Sequence, residues 1–378
     1  MPIKTGEVSR RDILSGSAAA FTVLKPATVR GSQANSKITV GLIGCGGRGT
    51  YDATAFHADP RAAVTAVCDL FDDRIDTAVP RIKAGKPAIY KDFEKLLASP
   101  VDAVIIATPP FEHPRMLEAA VEAKKHVFCE KPMGVDAEGC RRVIAAGRKA
   151  DPAKCISVGF QQRYGPVYLE AYKRLRKGEI GELATARGFW ISNDPFQRRP
   201  YDDPKIEKLR NWFCYRDYSG DFIVEQDCHN FDVLHWFLGG LPLRAVGWGG
   251  RKVRTTMEIL DHLSLTFEFP NGIHVNFEAN QLTPPGFGRV GEEFTGTRGT
   301  LATSRSRMIH YKGRDNSETI ESKRDITIDA IEAFLGMIQS GKVENVAERS
   351  ALSTMIAILG RTAIYTGREA SWKGEFGA

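Results

Sequence analysis

Residues 38–49 constrain this chain more than any other stretch. Ile38-Thr39-Val40-Gly41-Leu42-Ile43 reads as a short apolar strand, and Gly44-Cys45-Gly46-Gly47-Arg48-Gly49 follows at once with the spacing GxGxxG. Glycines at 44 and 46 permit a tight turn whose backbone N–H groups can approach a pyrophosphate. Gly49 lets the next helix lie close to the strand, its positive end toward the phosphates. A helix is expected over residues 50–57, then a second strand over 64–68 that ends in Asp69, 25 residues after Gly44. An acid near that distance accepts the ribose hydroxyls of a dinucleotide. The composite predicts an α/β domain on a parallel sheet, with Gly44, Cys45, Gly46, Gly47, Arg48, Gly49 and Asp69 holding NAD. NADP stays open, because Asp69 would repel a 2′-phosphate whereas Arg74 could swing toward one.

The βα rhythm continues to residue 160. Helices are expected over 71–83 and 91–98, and Val-Asp-Ala-Val-Ile-Ile-Ala at 101–107 reads as a central parallel strand, apolar on both faces. The loop Thr108-Pro109-Pro110-Phe111-Glu112-His113 precedes a helix over 114–124 and would border the nicotinamide ribose through Thr108, Pro109 and His113. Next comes His126-Val127-Phe128-Cys129-Glu130-Lys131-Pro132-Met133: the end of a buried strand, then an acid, a base and a ring that stops the strand. Glu130 and Lys131 thereby fall at the carboxyl edge of the strands, where open α/β sheets keep their ligands. A lysine there can hold a substrate hydroxyl and lower its pKa; a surface ion pair beside a turn is the bland alternative. A helix over 136–149 and a sixth strand over 155–159 complete the unit.

A second polar constellation lies at 219–236. As one helix, this stretch puts Phe222, Glu225, Gln226, His229, Asp232 and Val233 on one side, so that Glu225 and His229 meet. Phe222, Ile223, Phe231, Leu234, Trp236 and Phe237 argue for burial, and buried polar groups without partners cost several kcal/mol. The alternative is a solvated face with a stray histidine. Glu225-x-x-x-His229 lacks a second histidine at the right offset, so no metal is expected.

The glycine turn, Thr108-Pro109 with His113, Lys124-Lys125-His126-Val127 running into Glu130-Lys131-Pro132, and Val158-Gly159-Phe160-Gln161 together resemble the glucose-fructose oxidoreductase, inositol dehydrogenase and MocA family of nucleotide-dependent oxidoreductases. The resemblance spans roughly residues 37–375. It implies a Rossmann domain over 37–160 and a substrate-binding and oligomerisation α/β domain over 161–370. The second domain's open, mostly antiparallel sheet would pack beside the nicotinamide and bury its outer face in a homodimer or homotetramer. It also implies that an acid and a histidine join the lysine around the substrate carbinol. His229 matches that histidine, while Glu225 stands where aspartate is usual, one methylene longer. Lys131, His229 and Glu225 are thus the catalytic candidates, with Lys131 on the oxygen, His229 as general base and Glu225 in proton transfer or orientation. Where many relatives keep a Glu-His pair, this chain has Asp329-Ala330-Ile331.

The rest of the chain reads compatibly. Segments 183–191, 243–250, 262–269 and 272–281 have strand character, with Pro270-Asn271-Gly272 as a hairpin signal. Residues 294–301 read as a return strand, and 326–340 and 347–365 as helices that cover the first domain. Aromatics beside Arg, Asn and Gln suit a polyol or sugar ring, so Gln161, Arg163, Tyr164, Trp212 and Asp232 are the substrate-binding candidates, under a covering loop at 193–204.

Composition narrows the remaining classes. With 42% apolar and 26% charged residues the chain is an ordinary globular one. Half of its +6 charge sits in residues 1–34 (Lys4, Arg10, Arg11, Lys25 and Arg30 against Glu7 and Asp12), too little elsewhere to attract nucleic acid. Ser9-Arg10-Arg11-Asp12-Ile13-Leu14, a small apolar run over 16–24 and Ser32-Gln33-Ala34 resemble a twin-arginine export signal, with isoleucine where phenylalanine is most usual. The run is too short to span a membrane, so a released, periplasmic protein is expected. Seven cysteines form no CxxC pair and suit buried thiols in a protein folded before export, which would let a tightly bound NAD travel with it. The expectation is an exported oxidoreductase acting on a secondary hydroxyl of a sugar, glycoside or cyclitol. A glycosidase-like catalyst using transient oxidation and a nucleotide-bound sensor are the alternatives.

Overall fold

Strands β1 (Ile38–Ile43), β2 (Ala62–Cys68), β3 (Ala88–Tyr90), β4 (Ala103–Ile106), β5 (His126–Cys129) and β6 (Ile156–Val158) form a wholly parallel sheet in the order β3-β2-β1-β4-β5-β6. The computed structural model describes residues 37–377; the export leader expected over 1–34 lies outside them. Strands β4 and β5 are buried along their whole length, as central strands of a parallel sheet are, and apart from His126 their residues are apolar. The order reverses between β1 and β4, and the crevice at that reversal opens beside Gly44 and Thr108.

The second sheet has nine strands: β7 (Leu183–Ile191), β8 (Arg244–Gly250), β9 (His262–Phe269), β10 (Ile273–Asn280), β11 (Arg289–Gly296), β12 (Gly299–Thr303), β13 (Arg307–Gly313), β14 (Asn316–Glu321) and β15 (Ala370–Ser371). Their order is β14-β13-β12-β11-β7-β10-β9-β8-β15, and only β7 and β10 run parallel. The single return strand expected over 294–301 is instead a hairpin: Phe294 faces Leu301 and the chain reverses at Thr297-Arg298. Helices Pro166–Arg176, Cys228–Leu238 and Ala347–Thr366 cover one face. On the other, alternate residues such as Val246 and Trp248 stay exposed.

Two contacts lock the sheets together. Helix Ile326–Ser340 returns to the first domain, where Phe334 meets Phe56 and Phe128 edge-on at 5.8 and 5.7 Å. The chain entering the last long helix bridges Ile156 through Asn345. The helix expected over 219–236 is broken into Arg216–Ser219, Phe222–Glu225 and Cys228–Leu238. Gly220 and Asp221 both take positive φ (80° and 74°), and the Asp221 carboxylate accepts a hydrogen bond from the N–H of Phe222, restarting the helix. Glu225 and His229 therefore lie on different helices.

Candidate active site

The cofactor crevice is a cavity of about 300 Å³ that includes Gly44, Gly46, Gly47, Arg48, Asp69, Thr108 and Pro109 in its wall. Gly44 has φ +97°, and a Cβ there would lie 2.5 Å from the carbonyl oxygen of Ala107; a Cβ on Gly49 would lie 2.0 Å from that of Gly44. Both positions need glycine for backbone to pass backbone. At Gly46 and Gly47 an added Cβ would meet nothing within 4 Å, so those bare faces line open space where a pyrophosphate can approach. Asp69 is aimed by two backbone donors, the N–H groups of Cys45 at 2.8 Å and Phe71 at 2.9 Å. The thiol of Cys45 is buried and pushed up to about 12, chiefly by burial and then by Asp69, so only its backbone serves the turn. Arg48 bonds Glu130 at 2.9 Å and touches Asp52 at 3.2 Å. Burial opposes its charge, but these two carboxylates outweigh burial. Burial, and after it the neighbouring Glu130, push the buried Asp52 carboxyl well above its ordinary value, while Arg48 pulls against them.

The catalytic candidates come from both domains. The Lys131 ammonium, at the end of β5, donates to the backbone carbonyl of Glu225 at 2.5 Å and to its carboxylate at 2.8 Å. Burial works against the charge, yet Glu225, Cys228 and Glu130 together raise the lysine above its ordinary value, so it stays an ammonium. An ammonium has three donors and two are used here, leaving one for a ligand. His229 lies in the first turn of its helix, stacked on Trp190 (6.0 Å, 23°) and edge-on to Phe160 (5.9 Å). Its Nδ1 is buried with no partner among the described residues. Burial first, then Lys131, Arg305 and Arg48, hold its pKa well below the ordinary value, so it is a neutral imidazole.

Several candidate ligands have other work. His113 is buried with Nδ1 2.7 Å from the Pro132 carbonyl and Nε2 2.9 Å from that of Thr108, so it ties two strand-end loops together rather than offering a nitrogen to the cofactor. Glu130 is spent on Arg48, and a Cβ on Gly159 would lie 2.4 Å from its carboxylate. Arg163 and Asp232, expected to bind the substrate, instead form a bidentate pair at 2.8 Å, half-buried on the arginine side and buried on the carboxylate side, and the carboxylate also accepts from Ser353. The partners lie far apart in sequence, so nothing local announces that they neutralise each other. Tyr164 packs beside Ser157 and Arg349, and Trp212 lines the cofactor cavity rather than the space before His229. Gln161 keeps a buried side-chain oxygen without a partner among the described residues.

The sequence reads the run from Arg210 to Arg216 as substrate-side, but Arg210 does other work. Its guanidinium lies 3.9 Å from the Phe71 ring centre and bonds Asp73 at 2.6 and 2.8 Å, closing the cavity from the second domain with Leu209 and Trp212. The segment at 193–204 carries Phe196, Arg199 and Tyr201, which line a neighbouring hollow with Arg74 and Arg210. The run Arg210-Asn211-Trp212 was the available signal, and it belongs to the cofactor end.

Comparison with known proteins agrees with this geometry. Residues 38–160 match the family model described as "Oxidoreductase family, NAD-binding Rossmann fold", and residues 168–302 match the Gfo/Idh/MocA C-terminal domain. The chain is 28% identical over 276 residues to inositol 2-dehydrogenase of Acidothermus cellulolyticus, covering 72% of this chain and 74% of that protein. It is 27% identical over 304 residues to the scyllo-inositol 2-dehydrogenase (NAD(+)) of Bacillus subtilis, covering 79% and 81%. Among solved structures, levoglucosan dehydrogenase in complex with NADH and levoglucosan superposes with a TM-score of 0.76 at 18% identity, covering 89% of this chain and 99% of that one. Myo-inositol 2-dehydrogenase of Lactobacillus plantarum gives 0.73 at 20% identity, covering 89% and 99%. With both of its domains matched, the chain belongs to the Gfo/Idh/MocA family of NAD-binding oxidoreductases.

Proposed function

We propose that this protein moves hydride between NAD and a secondary hydroxyl of a sugar, glycoside or cyclitol. Relatives named as inositol dehydrogenases and a structural neighbour solved with levoglucosan support the substrate class. Bound NAD supplies the hydride acceptor. Gly44, Gly46, Gly47 and the aimed Asp69 would hold it, and the alternation of open and blocked glycine faces fits that role. The chain's own groups handle the proton. Lys131 uses its third N–H to hold the carbinol oxygen and stabilise the developing alkoxide, Glu225 fixes the ammonium, and neutral His229 takes the hydroxyl proton.

The observation that carries this reading is the Lys131–Glu225 contact across the two domains, with the unprotonated His229 at the start of the next helix. Incubating the purified protein with a panel of sugars and cyclitols while following nicotinamide absorbance tests it, in single turnover where the nucleotide stays bound. No absorbance change with any member would sink it.

Two further parts of the reading concern the cell. The Ser9-Arg10-Arg11 leader supports export through the twin-arginine route with NAD already bound. The exposed Trp248 and Val246 on the open face of the nine-stranded sheet support pairing of copies through that face.

A further inference from the structure

We propose that Arg305, which lies against the Trp190 ring that stacks on His229, holds the carboxylate of a sugar or cyclitol substrate that bears one; this rests on the dehydrogenase reading above. Arg305 sits in the turn between β12 and β13. That turn is fixed by the Ser304 N–H to the Arg307 carbonyl at 2.8 Å, by the Arg307 N–H to the Ser304 hydroxyl at 3.1 Å, and by the Ser322 N–H to the Ser306 carbonyl at 2.8 Å. The guanidinium reaches the ring of Trp190 at 5.4 Å, the same ring that stacks on His229.

Three cations bear on His229, and two are already matched. Lys131 holds Glu225 and Arg48 holds Glu130. Arg305 makes no hydrogen bond or ion pair among the described residues, although acids stand nearby. Glu292 is buried and occupied by Thr303 and Asn230, each at 2.7 Å; Asp325 accepts from the Tyr51 hydroxyl and from the Thr327 N–H. Arg305 sits on an exposed turn, but its guanidinium is laid against an aromatic face and has no anionic partner among the described residues, which leaves the fork free to take one. Because its two fellow cations are neutralised, a single planar fork remains, which matches one carboxylate bidentately better than a phosphate dianion.

The test uses the full, cofactor-loaded chain and reads binding apart from turnover. Calorimetry compares glucuronate with glucose, galacturonate with galactose, and gluconate with glucitol, with glucose phosphate as the competing anion. In at least one pair the carboxylate member binds about tenfold more tightly, as one added charge-assisted contact predicts. Arg305→Gln brings that ratio close to one, and Arg305→Lys keeps part of it. Equal affinity within all three pairs, a preference that survives Arg305→Gln, or tighter binding of the phosphate would each overturn the assignment. Nicotinamide reduction is followed separately, so a carboxylate preference without reduction would count against the dehydrogenase reading and leave the site standing.

Discussion

Lys131 shows how a single side chain is committed by its surroundings. Its ammonium is fixed by two oxygens of Glu225, so it cannot accept a proton near neutral pH and must act by donating. Lys131→Met is expected to lower kcat by about 10²–10³ with the nucleotide retained, because what is lost is a donor to charge that develops only in the transition state. Stopped-flow absorbance with a saturating substrate reads this, and a change confined to KM would contradict it. His229 has the opposite bias. A histidine with a depressed pKa is a base over a wider range on the acid side, so activity falls only as pH drops below the ordinary value of 6.5, and further below as the shift grows. The sign follows from the causes, since burial and three neighbouring cations all penalise imidazolium. A pH profile of kcat/KM with its acid limb above 6.5 would show that another group carries the proton.

At the level of elements, the sequence was readable wherever function and folding used the same local chemistry. The glycine turn needs glycine because backbone passes backbone there, and the β5 strand end is punctuated by Pro132, so both could be located from residues alone. Helices Ile326–Ser340 and Ala347–Thr366 were legible from their apolar patterning. The broken helix at 219–236 was not, because its interruption depends on Asp221 at positive φ bonding Leu260 and Tyr365 from distant segments. The Arg163–Asp232 pair and the Arg210 clasp hid for the same reason: each is made by groups remote in sequence. The clasp carries its own prediction. Arg210 joins Asp73 and Phe71 across the mouth of the cofactor cavity, and an exposed ion pair plus a cation–π contact contribute on the order of 1 kcal/mol together. Arg210→Ala is therefore expected to release nucleotide about fivefold faster, measured as NAD retained through gel filtration, with hydride transfer in the loaded protein little changed.

At the scale of the whole molecule, the proposed chemistry requires two domains to stay locked, one supplying Lys131 and the other Glu225 and His229. The nine-stranded sheet that positions His229 through Trp190 leaves Trp248 75% exposed on its far side, a large apolar surface to leave in water. If copies pair there, Trp248→Glu should convert the assembly to monomers by sedimentation while each chain keeps its nucleotide. The proposed export would raise a different demand, because a protein working outside the cytoplasm has to bring its cofactor along. All seven cysteines are free and buried, so no disulfide has to wait for an oxidising compartment, and the chain could close around NAD before any export. The proposed twin-arginine leader at residues 9–14 is the sequence feature that would permit such a folded cargo. Replacing Arg10 and Arg11 by lysine is accordingly expected to hold the protein in the cytoplasm with its nucleotide still bound, whereas the unaltered chain is recovered from the periplasm at close to one nucleotide per protein. Periplasmic protein that carries no nucleotide and stays inactive until NAD is supplied in excess would show that the cofactor does not travel inside the fold.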